Sequence, residues 1–417
     1  MEALPLEIII IIASFLPVDT LTHQRLLAPY ATLSRKWQGA IERRTFSSLR
    51  LSNEFDDLDI FSDIVWPNYT RRMFLRHLTF RIYVRRYTGK GSLQRASEMI
   101  TSNLQMLFFV LSKSDGSKEI ALKLSFHVSA SHSLDHIERQ SLEPRFELIG
   151  RGEQLATVKC VSSLALYSDA YIGLALRTIV DLMARFPRLR SIRFTRGEYC
   201  TYRNDRHGLA TALIDAAGFL SKTECLKVTL TTERVGPWPY YPRFSSYLTY
   251  NTSLPPYDTF GAAMRMWSHN LVYLKINGVL SSSIFWPSGN EQSEIKVSHW
   301  PRLRELYVAF AIMTPEGGWY FEEPSDIQTR RCVPCNDTLW PLFEAWAKAI
   351  ESMPVLEQAL VGFNMAGPSM FDDYYPYKWS IVLQVPDVLH SSLLGTWTKN
   401  LGPYLHNSRL IFQDTNG

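Results

Sequence analysis

Read for hydrophobic and polar positions, the chain opens on a stretch that is apolar in every direction. Residues 4–17, LPLEIIIIIASFLP, carry five isoleucines in succession. β-branched residues alone would predict a strand, but the flanks predict a helix. Pro5 suits a first turn, where its missing N–H has no intrahelical partner, and Glu7 complements the positive end of the helix dipole. Pro17 would end it. A second helix is predicted from near Asp19 and Thr20. A third is predicted from about Tyr30 to Arg44, where Tyr30, Leu33, Trp37, Ala40 and Ile41 recur at intervals of three, four, three and one, with Arg35, Lys36, Arg43 and Arg44 mostly off that stripe.

Beyond Leu51 the period becomes that of strands. In LTFRIYV the alternation sets Leu78, Phe80, Ile82 and Val84 on one face and Arg81 and Tyr83 on the other. An apolar-x-x-apolar-x-apolar pattern then recurs at Leu75-Leu78-Phe80, Ala121-Leu124-Phe126, Val161-Leu164-Leu166, Leu189-Ile192-Phe194, Cys225-Val228-Leu230, Leu271-Leu274-Ile276, Leu303-Leu306-Val308 and Leu356-Ala359-Val361. Helical segments at 174–186, 209–220, 260–267 and 339–352 precede four of these copies. Strand and helix in alternation, no unit able to bury its own apolar face, is the logic of an α/β solenoid. The steps between copies are 46, 40, 28, 36, 46, 32 and 53 residues. A standard leucine-rich repeat spans about 20–29 residues. The predicted fold class is therefore α/β: an N-terminal three-helix module followed, over residues 51–417, by an irregular leucine-rich-repeat-like α/β solenoid with large insertions.

Composition narrows the function classes. Forty-four Lys and Arg against forty Asp and Glu leave a formal charge of +4, short of the excess that phosphate binding needs, so no nucleic-acid partner is expected. A basic block from Arg71 to Arg95 reads as a solvated strand face and its loops. Five cysteines are too few for a disulfide framework and fit a reducing compartment, cytoplasmic or nuclear. Outside the opening, no apolar run approaches the roughly 20 residues that span a bilayer, and the opening holds Glu7 and stops at Pro17, so no membrane span is expected. A cleaved secretion signal is the competing reading of the isoleucines, with sequons at Asn68, Asn251 and Asn336; against it, a positively charged leading segment and a small-x-small cleavage site are missing.

Three short helices make a core too small to surround a helix that is apolar on all sides, so part of the isoleucine surface needs other cover. LPLEIIIIIASFLP followed by LAPYATLSRKWQGAIERRTFSSLRL resembles an F-box of the type common in filamentous fungi. The matching positions are Leu4, Pro5, Glu7, Ile8, Ile9, Ile12, Phe15 and Leu16, then Leu27, Leu33, Ser34, Trp37 and Ile41. The resemblance implies an F-box over residues 1–50 that docks onto the Skp adaptor of an SCF-type cullin-RING ubiquitin ligase, meeting the cullin through that adaptor. It assigns adaptor-binding or adaptor-supporting roles to Leu4, Pro5, Ile8, Ile9, Ile12, Phe15, Leu16, Leu33, Trp37 and Ile41. The implied function is a substrate receptor whose repeat region binds a target protein. A helical cap on the next domain is the bland alternative for the same residues, and an adaptor-bound scaffold that ubiquitylates nothing is the alternative function.

Aromatic, proline-rich insertions at 236–260, 314–326 and 367–379 offer candidate target-binding rings: Trp238, Tyr240, Tyr241, Trp319, Tyr320, Tyr374 and Tyr375. Lids packed over the solenoid are an equal reading of them. Catalytic chemistry is not expected. Cys332 and Cys335 have the spacing of half a zinc site without a second pair, GKGS at 89–92 lacks the preceding glycine of a phosphate loop and reads as a turn, and no nucleophile motif is present. No cofactor or metal is expected.

Overall fold

Nine strands pair in parallel, and eight of them are the eight copies of the apolar pattern. The computed structural model describes residues 4–16, 27–84, 91–128, 145–168, 173–197, 203–216, 218, 221–231, 258–287, 299–311, 314–322 and 333–363. The chain is α/β and divides into two compact units, Met1–Ile172 with Arg185–Leu189, and Gly173–Ala184 with Arg190–Gly417.

In the first unit, helices α1 (Leu6–Phe15), α2 (Ala28–Ala31) and α3 (Arg35–Ser47) precede strand β1 (Ser48–Ser52). Two short helices, α4 (Asp57–Ile60) and α5 (Tyr69–Phe74), lead to β2 (His77–Val84), and the long α6 (Ser92–Ser112) connects β2 to β3 (Ile120–Val128), which pairs with β4 (Val161–Ser168). Parallel neighbours need such crossovers, because a two-residue turn cannot return the chain to the same end of the sheet. The sequence pattern missed four elements here, β1, α4, α5 and α6. The α6 signal is nonetheless present: the buried Ala96, Ile100, Leu104, Leu107, Phe108 and Leu111 fall at helical intervals. From this stripe Phe108 meets Phe186 at 5.1 Å between ring centroids. Gly91, with φ at 82°, turns the chain into α6, while Gly89 and Lys90 lie outside the described residues.

In the second unit, α7 (Leu176–Met183) precedes β5 (Ser191–Gly197), α8 (Arg203–Asp215) connects β5 to β6 (Cys225–Thr231), and α9 (Thr259–Ser268) connects β6 to β7 (Tyr273–Gly278). Strand β8 (Glu305–Phe310) follows, and α10 (Asn336–Glu351) connects it to β9 (Gln358–Phe363). The strands pair in chain order, and their register sets two apolar rows on the covered face. One is Ile192, Leu226, Leu274, Leu306 and Ala359; the other is Phe194, Val228, Ile276, Val308 and Val361, and all ten are buried. Each Val, Ile, Leu or Phe among them contributes about 1.5–3 kcal/mol relative to exposure.

Register also corrects two copies of the pattern. Leu122 and Leu124, not Leu124 and Phe126, lie opposite Leu78 and Phe80. Leu226 and Val228, not Val228 and Leu230, lie opposite Ile192 and Phe194. A two-residue slide keeps every side chain on its own face of a strand, so hydrophobic alternation cannot detect it.

Inside the second unit an ion pair is buried. Arg206 on α8 reaches Asp258, the residue before α9, at 3.0 Å, and the same guanidinium donates to the carbonyl oxygen of Val279 at 2.7 Å. Ser281 donates to the other carboxylate oxygen at 3.3 Å. A charge removed from water is tolerated when it is paired and hydrogen-bonded in this way.

Candidate functional site

Helix α1 has two unlike sides. Ile9 and Ala13, one turn apart, are buried with Leu27, Trp37, Ala40 and Ile41, and Leu4, Ile10, Leu16, Tyr30 and Ala31 pack against that cluster half-buried. Tyr30 and Trp37 stack with ring centroids 6.3 Å apart. The third helix begins later than the apolar stripe predicts, at Arg35, because the Ser34 side chain accepts from the backbone N–H of Trp37 and caps a new first turn; Tyr30 sits in the separate turn of α2.

Side chains of α3 hold both ends of α1. Lys36 donates through Nζ to the carbonyl oxygen of Leu4 at 3.2 Å. Arg44 donates to the carbonyl oxygens of Ala13 and Leu16, the latter at 2.7 Å. The last carbonyls of a helix have no intrahelical partner and carry the negative end of its dipole, so a guanidinium there satisfies both. A further tie links α3 to α5, where Arg71 pairs with Glu42 at 3.1 Å.

On the opposite side, Ile8, Ile11, Ile12 and Phe15 recur at intervals of three, one and three and form an outer stripe. All four are exposed, Ile11 by 52% and Phe15 by 82%. Isolated apolar residues on a surface are ordinary, whereas a whole apolar helix side left to water marks a contact surface. None of the four belongs to the buried cluster around Ile9 and Trp37.

The ten candidates therefore separate. Ile9, Trp37 and Ile41 are buried and support the module; Leu4 and Leu16 are half-buried at the two ends of α1; Pro5, Ile8, Ile12, Phe15 and Leu33 are exposed. Two exposed apolar residues of α1, Leu6 and Ile11, were not among the candidates. Ile11 was legible, since it lies one turn before Phe15 and one residue from Ile12.

The chain matches no protein-family model and no curated protein sequence.

Among the target-binding candidates, Trp238, Tyr240, Tyr241, Tyr374 and Tyr375 lie outside the described residues. Trp319 is half-buried, and its carbonyl oxygen accepts from the hydroxyl of Thr338. Tyr320 is buried, donates its hydroxyl to the carbonyl of Leu280 at 2.8 Å, and meets Phe310 and Phe363 at 5.7 and 5.2 Å. With 1% of its surface exposed, it has no ring surface to offer a partner. Cys335 precedes α10 while Cys332 lies outside the described residues. Among the described residues no group of three or more His, Cys, Asp and Glu could hold a metal ion. His127 stands between the rings of Tyr83 and Tyr167, at 5.4 and 6.0 Å. No helix among the described residues is long and apolar enough to cross a membrane.

Proposed function

We propose that the chain is a substrate-recognition subunit of an SCF-type cullin-RING ubiquitin ligase. Residues 1–50 act as an F-box that docks onto the Skp adaptor, and the following region, read as an irregular leucine-rich-repeat-like solenoid, binds a target protein. The observation that carries this reading is the outer stripe Ile8, Ile11, Ile12 and Phe15 on a helix whose inner side already completes its own core. A cap on the rest of the chain would need that stripe covered. In this reading the subunit performs no bond chemistry. It raises the effective concentration of the target beside a ligase-bound conjugating enzyme, and that proximity is its contribution to rate.

The test is co-expression with the Skp adaptor followed by affinity capture and isothermal titration. The unaltered chain is expected to co-purify and bind at micromolar concentration or tighter, and Ile11→Asp with Phe15→Asp is expected to abolish capture while the melting temperature stays unchanged. No capture of the unaltered, folded chain would overturn the reading. Target half-life with and without the protein then separates a receptor from an adaptor-bound scaffold, for which no half-life would change.

A further inference from the structure

The uncovered face of the strands in the second unit carries a row of cations. Register places Arg193, Lys227 and Lys275 side by side on β5, β6 and β7, and continues the row with Tyr307 and Leu360. Neighbouring strands lie about 4.8 Å apart, so the three positive groups span about 10 Å. Arg193 and Lys275 are exposed and Lys227 is half-buried, while the residues before and after each are buried on the other face. Among the described residues of this face, Glu305 is the one carboxylate, and its oxygen accepts from the Tyr307 hydroxyl at 3.2 Å.

Folding does not ask for this row. Like charges directly opposite one another on a sheet destabilise it, and the packing of the covered face is indifferent to what alternates with it. Lys227 finds partial relief over the Tyr273 ring, at 4.7 Å from the centroid. The positions directly before the three cations, Ser191, Cys225 and Tyr273, and directly after them, Thr195, Thr229 and Asn277, are neutral, and Glu305 stands beyond Tyr273. The chain as a whole is close to charge balance at +4, so the concentration of cations here is local. In the first unit the uncovered face independently shows the same composition, with Arg50, Arg81 and Lys123 beside Tyr83, His127 and Tyr167.

We infer that the uncovered face of β5–β8 is a docking surface for an acidic peptide segment of a protein partner, held by carboxylates on Arg193, Lys227 and Lys275. An extended segment advances about 3.3 Å per residue, so acidic side chains two residues apart, about 6.6 Å, reach neighbouring cations, and those three apart, about 10 Å, span the row. The guanidinium of Arg193 takes a carboxylate through paired hydrogen bonds, and the ammonium groups act as point charges. Tyr273 and Tyr307 supply flat apolar area beside the charges. The inference stands apart from adaptor docking by α1 and is tested without the adaptor.

The experiment uses the full chain and three fluorescein-labelled probes of equal length, deca-glutamate, deca-lysine and deca-thymidylate, with binding read by fluorescence anisotropy. Deca-glutamate is expected to bind, deca-lysine not, and the affinity is expected to fall at least tenfold between low and physiological salt. Arg193→Glu with Lys275→Glu is expected to weaken deca-glutamate at least tenfold, and the charge-removing Arg193→Gln with Lys275→Gln to weaken it severalfold if the reversed pair does not fold. The net-charge-matched control Arg35→Glu with Arg43→Glu, on exposed positions of α3, is expected to leave binding within twofold. Equal losses in control and test variants would mean bulk charge and overturn the inference, as would deca-thymidylate binding more tightly than deca-glutamate, which would assign the face to nucleic acid.

Discussion

Arg44, in the last turn of α3, donates to the carbonyl oxygen of Leu16 at 2.7 Å, just past the end of α1. The same guanidinium reaches the carbonyl oxygen of Ala13. No basic residue lies in the last turn of α1 itself, so the negative end of that helix is met from another element. Arg44→Met keeps the apolar stem and removes the donors. It is expected to cost about 1–3 kcal/mol in urea unfolding, the range for a charged hydrogen bond whose partner stays in place. It should also bring proteolytic cleavage into residues 4–16 before the rest of the chain is cut. Unchanged protection of α1 would show that apolar packing alone fixes it.

Two isoleucines two positions apart in α1 should behave oppositely. Ile9 is fully buried and Ile11 is half exposed. Ile9→Ala leaves a cavity among Trp37, Ala40 and Ile41 and is expected to cost about 2–5 kcal/mol. Ile11→Ala is expected to change stability by less than about 0.5 kcal/mol. Adaptor capture should show the converse pattern once the loss of folded Ile9→Ala protein is corrected for. Equal effects of the two substitutions on melting temperature would contradict the two-sided description of the helix.

These contrasts mark what the sequence could and could not disclose. Eight strands were legible because each carries apolar residues on alternate positions, and that period survives any insertion between them. The two-residue slides at Leu122–Leu124 and Leu226–Val228 were not, since both registers put apolar residues on the same face. Nor does a homogeneous run such as five isoleucines say which side of its helix turns inward. That choice is made by Trp37, Ile41 and the reach of Lys36 and Arg44, all of them 20 or more residues away in the chain. The cationic row was hidden for a similar reason. Arg193, Lys227 and Lys275 are each an ordinary polar position in a strand, separated by 34 and 48 residues, and only pairing makes them neighbours.

Cys160 is buried, and burial pushes its thiol up to about 11. Its sulfur lies 3.8 Å from the carbonyl oxygen of Leu111, a weak contact that leaves the proton in place. The thiolate is the nucleophile, so at pH 8 roughly one thiol in a thousand is in the reactive form. Native alkylation with iodoacetamide at pH 8, read by peptide mass, is expected to leave Cys160 unmodified while the half-buried Cys225 and Cys335 react. Denaturant should abolish the difference. Prompt native labelling of Cys160 would mean that the β3–β4 region opens far more often than its packing implies.

His269 follows α9 and meets the Trp300 ring edge-on at 5.3 Å. Burial lowers its pKa to about 4, with the positive charge of Arg265 and then His299 acting in the same direction. Unfolded, an imidazole titrates near 6.5. Above pH 6.5 the ring is neutral in both states, so the folded protein has its full stability. Between pH 6.5 and about 4 the unfolded chain takes up a proton that the folded one refuses, and stability falls as the pH is lowered. The loss is at most about 3 kcal/mol, from 1.36 kcal/mol for each unit between the two values. His269→Phe removes the titrating group while keeping a ring against Trp300. Denaturant midpoints at pH 7 and pH 5, taken for both proteins, are expected to fall more steeply for the unaltered chain, by about 1–2 kcal/mol in the difference. Parallel pH profiles would show that His269 accepts a proton as readily in the folded chain as in the unfolded one.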